Sequence, residues 1–246
     1  MRSLPVAGRW RLSPQIGFDA TIGGGFVDSV GGTAPPAASF LGRPLGGGMD
    51  VSVSELSFGD SFNTPFHIGI ELGYGVNAVS EIALGVRWTH AGAKDVTLAK
   101  IQGNGTMGGA VINGAKTVTG RFDDYQDFGV SGLYRRYFMQ SGAFHPFFFG
   151  VAGLNYTPKI QFSADDPSLG VRDVTFYDSG WIWSVGLGLG FRWDLSRSVS
   201  FGLEAGLHYA SPLNRRTEND PNAIAGFNRS GERFSLPLTM SALIRF

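Results

Sequence analysis

Residues 10–23 read WRLSPQIGFDATIG. Apolar side chains fall on Trp10, Leu12, Pro14, Ile16, Phe18, Ala20 and Ile22, with Arg11, Ser13, Gln15, Gly17, Asp19, Thr21 and Gly23 between them. A period of two means a β-strand with one apolar face, because successive side chains point to opposite sides of the pleat. Which of the two faces meets water has to come from the rest of the chain.

The same alternation returns along the whole length. In FHIGIELGYGV (66–76) the apolar set is Phe66, Ile68, Ile70, Leu72, Tyr74 and Val76, and a four-residue NAVS turn leads into EIALGVRW. That is a tight hairpin signal. YQDFGVSGLYRRY (125–137) and PFFFGVAGLNY (146–156) form a second pair whose inward phase stays open, since Phe147, Phe148 and Phe149 are consecutive. WIWSVGLGLGFRW, FGLEAGLHY and RFSLPLTMSALIRF complete the set. Eight strands are expected, at about 10–24, 65–77, 81–91, 124–137, 145–157, 178–194, 199–210 and 233–246. Between them, long polar connections (about 26–64, 91–123, 157–178 and 211–232) alternate with connections of a few residues. Loops that long are uncommon inside compact soluble domains, and a long–short rhythm suits an up-and-down barrel with every long loop at one end.

Composition narrows the environment. Glycine, at 37 of 246 residues, is about twice its usual share, aromatics reach 13% and charged residues fall to 16%. No run of about 18 apolar residues exists to cross a membrane as a helix. The N-terminal MRSLPVAGRW lacks the apolar centre of a secretion signal. There is no cysteine, hence no disulfide or thiolate site. Twenty basic and twenty acidic residues give no electrostatic reason to expect nucleic acid or an anionic surface as partner.

The apolar phase holds Trp, Phe, Leu and Ile in nearly every strand, too much volume for the interior of eight strands, whereas the opposite phase is mainly Gly, Ser, Thr and Ala. Aromatics gather at strand ends: Trp10, Tyr74, Trp193 and Phe246 toward the short turns, and Phe66, Trp88, Trp181, Trp183, Tyr209 and Phe234 toward the long loops. Such girdles mark lipid–water boundaries. The expected fold is therefore all-β: one domain over 1–246, an eight-stranded antiparallel up-and-down transmembrane β-barrel. Pro14 and Pro237, each lacking a ladder donor, are expected near the rims.

The chain resembles the OmpA-type family of eight-stranded outer-membrane barrels, through PFFFGVAGLNY, LGFRWDLSRSVSFGLEAGLHY and the closing Phe246 in phase with Ile244, Ala242 and Met240. The resemblance implies a bacterial outer-membrane location with both termini periplasmic. It also implies a lipid and lipopolysaccharide surround, and recognition of the C-terminal strand by the barrel assembly machinery. A periplasmic peptidoglycan-binding domain is not expected, because the sequence stops at the eighth strand.

On the inward phase lie Arg11, Asp19, His67, Glu71, Arg87, Arg192, Glu204, His208 and Arg245. Charges in a narrow lumen must pair, and Arg87 with Glu71 and Arg192 with Glu204 are the expected cross-strand pairs. No cofactor or metal is expected: Asp165, Asp166 and Asp173 in SADDPSLGVRD miss the EF-hand spacing. The glycine runs at 23–25 and 46–48 read as flexible loop or rim, since no lysine or helix follows to make a phosphate loop. Arg215 and Arg216, beside Glu218 and Asp220, read as a mixed surface loop that can touch lipopolysaccharide phosphates. HYAS (208–211) is the one stretch reminiscent of lipid A-modifying barrels, but His208 is on the inward phase and no orienting acid is evident. An enzyme is not expected. The expected role is structural or surface-interactive, carried by four long extracellular loops with an unknown ligand. The alternatives are a small passive or gated channel and, behind it, a lipid A-modifying enzyme.

Overall fold

A computed structural model describes residues 7–33, 38–46, 48–138, 142–214 and 231–246. Its strands in chain order begin with β1 (Trp10–Gly23), β2 (Gly25–Val27), β3 (Val30–Thr33), β4 (Ser39–Phe40), β5 (Arg43–Gly46), β6 (Met49–Val53) and β7 (Leu56–Ser57). A four-residue helix, α1 (Phe58–Ser61), precedes β8 (Phe66–Gly75), β9 (Ser80–Ala91), β10 (Asp95–Met107), β11 (Ala110–Phe122) and β12 (Tyr125–Tyr137). Then follow β13 (Phe144–Thr157), β14 (Ile160–Ala164), β15 (Val174–Tyr177), β16 (Gly180–Asp194), β17 (Val199–Ala210) and β18 (Arg233–Arg245).

Eight of these close into an antiparallel barrel in the order β1-β18-β17-β16-β13-β12-β9-β8. They are the eight strands that the period-two pattern marks. Their apolar phase points outward: Phe18, Leu84, Leu187, Leu189 and Trp193 are all more than half exposed. An apolar belt running round a barrel far exceeds the few hundred Å² a soluble surface tolerates. Lipid covers it, and the strands span a membrane.

The open phase of β12 and β13 is settled by what fits inside. Tyr137, Phe147 and Phe149 turn inward and pack together, and Tyr134 and Phe148 turn out. The glycines of β16 make the room. A Cβ on Gly190 would lie 2.6 Å from the Phe147 ring, and one on Gly188 would lie 2.7 Å from that of Phe149. The two prolines sit where the seams of β18 are interrupted. Pairing with β1 lapses between Leu12↔Ile244 and Gln15↔Ser241, beside Pro14. Pairing with β17 lapses between Ala205↔Leu238 and His208↔Ser235, beside Pro237.

The long connections are not loose loops, which corrects the expectation for 26–64, 91–123 and 157–178. They build a second sheet above the long-loop end, ordered β15-β14-β11-β10-β5-β4, with β6 pairing β10 and β3 joining β6. Its inner side is a core that includes Phe26, Phe58, Phe62, Phe122, Phe162 and Tyr177. Phe26 meets Phe62 and Phe122 edge-on, each at 4.9 Å between ring centroids, and the Tyr177 hydroxyl donates to the Phe26 carbonyl. The alternation was hidden because β10 carries a bulge between Thr97 and Ala99 that flips its phase midway. Gly24, at φ +119°, is rim structure and not slack: a Cβ there would lie 2.1 Å from the Glu232 carbonyl oxygen.

Candidate functional site in the barrel lumen

The lumen charges are stacked in three levels. At the short-turn end Arg245 pairs with Asp194, which also accepts from Ser200 at 2.7 Å and lies 3.2 Å from His145 Nε2. Above it, three arginines meet three glutamates. Arg11 pairs with Glu71 and, at 2.5 Å, with Glu81. Arg135 holds Glu71 at 2.5 Å, Glu204 at 2.7 Å and Glu81 at 3.2 Å. Arg192 reaches Glu81 at 3.2 Å and lies 4.9 Å over the Tyr137 ring. All six sit inside the barrel wall, and Arg135 is 1% exposed.

This level differs from the expected pairing. Glu71 and Glu204 both go to Arg135, not to Arg87 and Arg192. On the wall, Arg87 is only diagonal to Glu71, and Arg192 only diagonal to Glu204. Pairs along the wall and pairs across the lumen are both made. Arg11 on β1 meets Glu71 on the neighbouring β8, and Arg135 meets Glu81 on the neighbouring β9. Arg135 on β12 also crosses to Glu204 on β17, and Arg192 on β16 crosses to Glu81 on β9.

The upper level holds Asp19, His67, Arg87, His208, Asp127 and Arg233. His67 Nδ1 is 3.1 Å from Asp19, and its Nε2 is 3.1 Å from Thr239 Oγ1. Arg87 and His208 line a cavity of about 80 Å³ whose floor is formed by Glu71 and Glu204. That volume admits several waters, and the polar lining suits them. Arg233 closes the level: it is 3.5 Å from Asp127, and its guanidinium lies 5.0 Å from the Phe58 ring and 4.9 Å from that of Tyr125. The Tyr125 hydroxyl donates to Asp127 at 3.0 Å. Helix α1 delivers Phe58 to this mouth, and a capping box fixes its start: Asp60 N donates to Ser57 Oγ at 3.2 Å, and Ser57 N donates to Asp60 Oδ2 at 2.9 Å.

All nine lumen positions taken from the sequence point into the barrel or its rim, but the sequence reading missed Glu81, Arg135, Asp127, Asp194, His145 and Arg233. Glu81, Asp194 and Arg233 were findable, being in phase with residues already assigned inward but standing at strand ends. Arg135 and His145 needed the phase of β12 and β13, and Asp127 precedes an outward Phe128. The girdle aromatics Trp10, Trp181, Trp183, Trp193, Phe234 and Phe246 are exposed, and Phe66, Tyr74, Trp88 and Tyr209 are half-buried against outward neighbours. Trp10 packs on Tyr74 at 4.9 Å, Phe66 on Trp88 at 5.6 Å, and Tyr209 on Trp183 and Phe234.

The remaining candidates are dispersed. Ser211 Oγ accepts the Trp183 backbone N–H at 3.1 Å, and His208 makes no hydrogen bond to it. Asp166 caps the 3-10 turn Pro167–Leu169 and meets Lys116 at 2.5 Å. That lysine contact, with the Ser168 bonds, pulls its carboxyl down to about 2. Asp173 turns instead to Ser163. Among the described residues no acidic or histidine group is arranged to hold a metal ion. Arg215, Arg216, Glu218 and Asp220 lie outside the described residues.

No family model and no curated protein matches the chain. Solved structures do. The outer membrane protein OprG from Pseudomonas aeruginosa is 12% identical, with a TM-score of 0.45 over 100% of this chain and 97% of that one. Ail, the attachment invasion locus protein of Yersinia pestis, is 12% identical, with a TM-score of 0.43 over 98% and 99%. Neisserial surface protein A is 14% identical, with a TM-score of 0.42 over 98% of each. At these scores the fold rests on the chain's own closed ladder and apolar belt.

Proposed function

We propose that this chain is an integral protein of a bacterial outer membrane, an OmpA-type barrel whose work is structural or surface-interactive and is done by the sheet built on its long connections. The observation that carries this reading is the closed lumen. The arginine–glutamate level blocks it below the cavity, and the Arg233, Phe58 and Tyr125 stack blocks it above. The sheet, by contrast, presents an ordered face outside the membrane: Lys100, Gln102 and Asn104 on β10 stand beside Thr117, Ala115 and Asn113 on β11. In this reading both termini are periplasmic, the head is extracellular amid lipopolysaccharide, and the Phe246 strand is the handle for barrel assembly. Catalysis has no part in it.

The absence of cysteine allows a direct test. Thr117→Cys on the head and Asn77→Cys on a short turn are expressed separately, and intact cells are treated with a membrane-impermeant maleimide. Labelling of the first alone is expected. Labelling of the second alone would put the head inside and overturn the proposal.

A further inference from the structure

A formal charge of zero conceals a separation of charge across this molecule. Within the lumen each level is balanced: Arg245 against Asp194, three arginines against three glutamates, and Arg87 with Arg233 against Asp19 with Asp127. In the described head segments acidic side chains outnumber basic ones, Asp28, Asp50, Glu55, Asp95, Asp123 and Asp178 among them. The short-turn end has the opposite sign. Its carboxylates, Glu81 and Asp194, are turned inward and buried, whereas Arg9, Arg136 and Arg197 are exposed. Among the described residues no exposed acidic side chain accompanies them there.

The placement of these arginines points to a lipid. Arg9 adjoins Trp10 at the start of β1, Arg197 lies in the β16–β17 turn beyond Trp193, and Arg136 is the penultimate residue of β12. In barrel order those elements are spread around the circumference and not gathered on one side. Arg136 is on the outward phase between the exposed Tyr134 and Phe138, directly across from Phe148. It has no ion-pair partner among the described residues. A cation at the water edge of an aromatic girdle, without a protein counterion, takes one from the membrane.

We infer that the short-turn rim is a binding surface for anionic phospholipid headgroups, with Arg9, Arg136 and Arg197 each engaging a phosphate of the adjoining leaflet. The inference rests on the membrane-spanning reading, though not on which way the barrel points. It also reverses what the neutral composition suggests about anionic surfaces.

The test is native mass spectrometry of the refolded protein in detergent with phosphatidylglycerol and phosphatidylcholine of identical acyl chains. A boiled-versus-unboiled gel shift first shows that each variant is a folded barrel, so failure of the barrel reading is seen separately. The wild type is expected to retain phosphatidylglycerol over phosphatidylcholine by roughly fivefold per arginine engaged, with the preference shrinking as salt is raised. Arg9→Gln/Arg136→Gln/Arg197→Gln is expected to bring the two lipids to parity, and Lys116→Gln/Lys159→Gln in the head is expected to leave the preference intact. Parity in the wild type, or a preference that survives the triple substitution, would overturn the inference.

Discussion

Arg135 touches three glutamates at once, so its loss leaves Glu204 without an ion-pair partner and takes one partner each from Glu71 and Glu81, which keep Arg11 and, for Glu81, Arg192. Arg135→Met is expected to destabilise the barrel by about 3–5 kcal/mol, the usual cost of stripping one partner from a buried ionic cluster, read as a lowered urea midpoint in lipid vesicles. The same change at Arg136, one residue on and facing lipid, is expected to leave the stability in phosphatidylcholine vesicles within about 0.5 kcal/mol, as for other surface substitutions. Gly188→Ala probes the other constraint on the lumen. Its Cβ would sit 2.3 Å from the Ala205 carbonyl oxygen and 2.7 Å from the Phe149 ring, so a loss of about 1–3 kcal/mol is expected from overpacking. At this scale the sequence showed which residues face inward on six strands, because alternation determines the side. It did not show partners. Pairing depends on reach across the lumen as well as along the wall, and Glu71 is taken by Arg135 from β12 and Arg11 from β1 instead of by the diagonal Arg87.

At the scale of elements, the barrel and its head are held by different forces. Barrel strands owe their order to a closed ladder and a lipid belt, whereas the head owes its order to an aromatic core. Phe26→Ala removes the ring that Phe62, Phe122 and Tyr177 all contact. It is expected to cost the head about 3–5 kcal/mol, seen as faster trypsin cleavage in β10–β11 while the gel shift of the folded barrel persists. A smaller term ties β11 to the 3-10 turn. Because Asp166 is held down to about 2 by Lys116, its contribution is complete above the unfolded carboxylate range near 4 and disappears as pH falls through 2. Asp166→Asn is expected to abolish that part of the acid sensitivity of amide exchange at the turn. The barrel strands were legible because each kept one phase from end to end. The head strands were not, since the bulge at Thr97–Ala99 resets the period and several strands are only two to five residues long.

For the whole molecule, closure of the lumen is what separates a surface-acting protein from a pore. Two layers stand in series, one of arginine–glutamate pairs and one of Arg233 with the Phe58 and Tyr125 rings, with a small polar-lined cavity between them. Removing either should leave the other in place, so single substitutions such as Phe58→Ala are not expected to open a path. The measurement that tests the account most directly is single-channel recording of the folded wild-type protein in a planar bilayer. Silence across the usual voltage range is the predicted result. Discrete, reproducible openings would contradict it, showing that the arginine–glutamate level yields and that the barrel conducts.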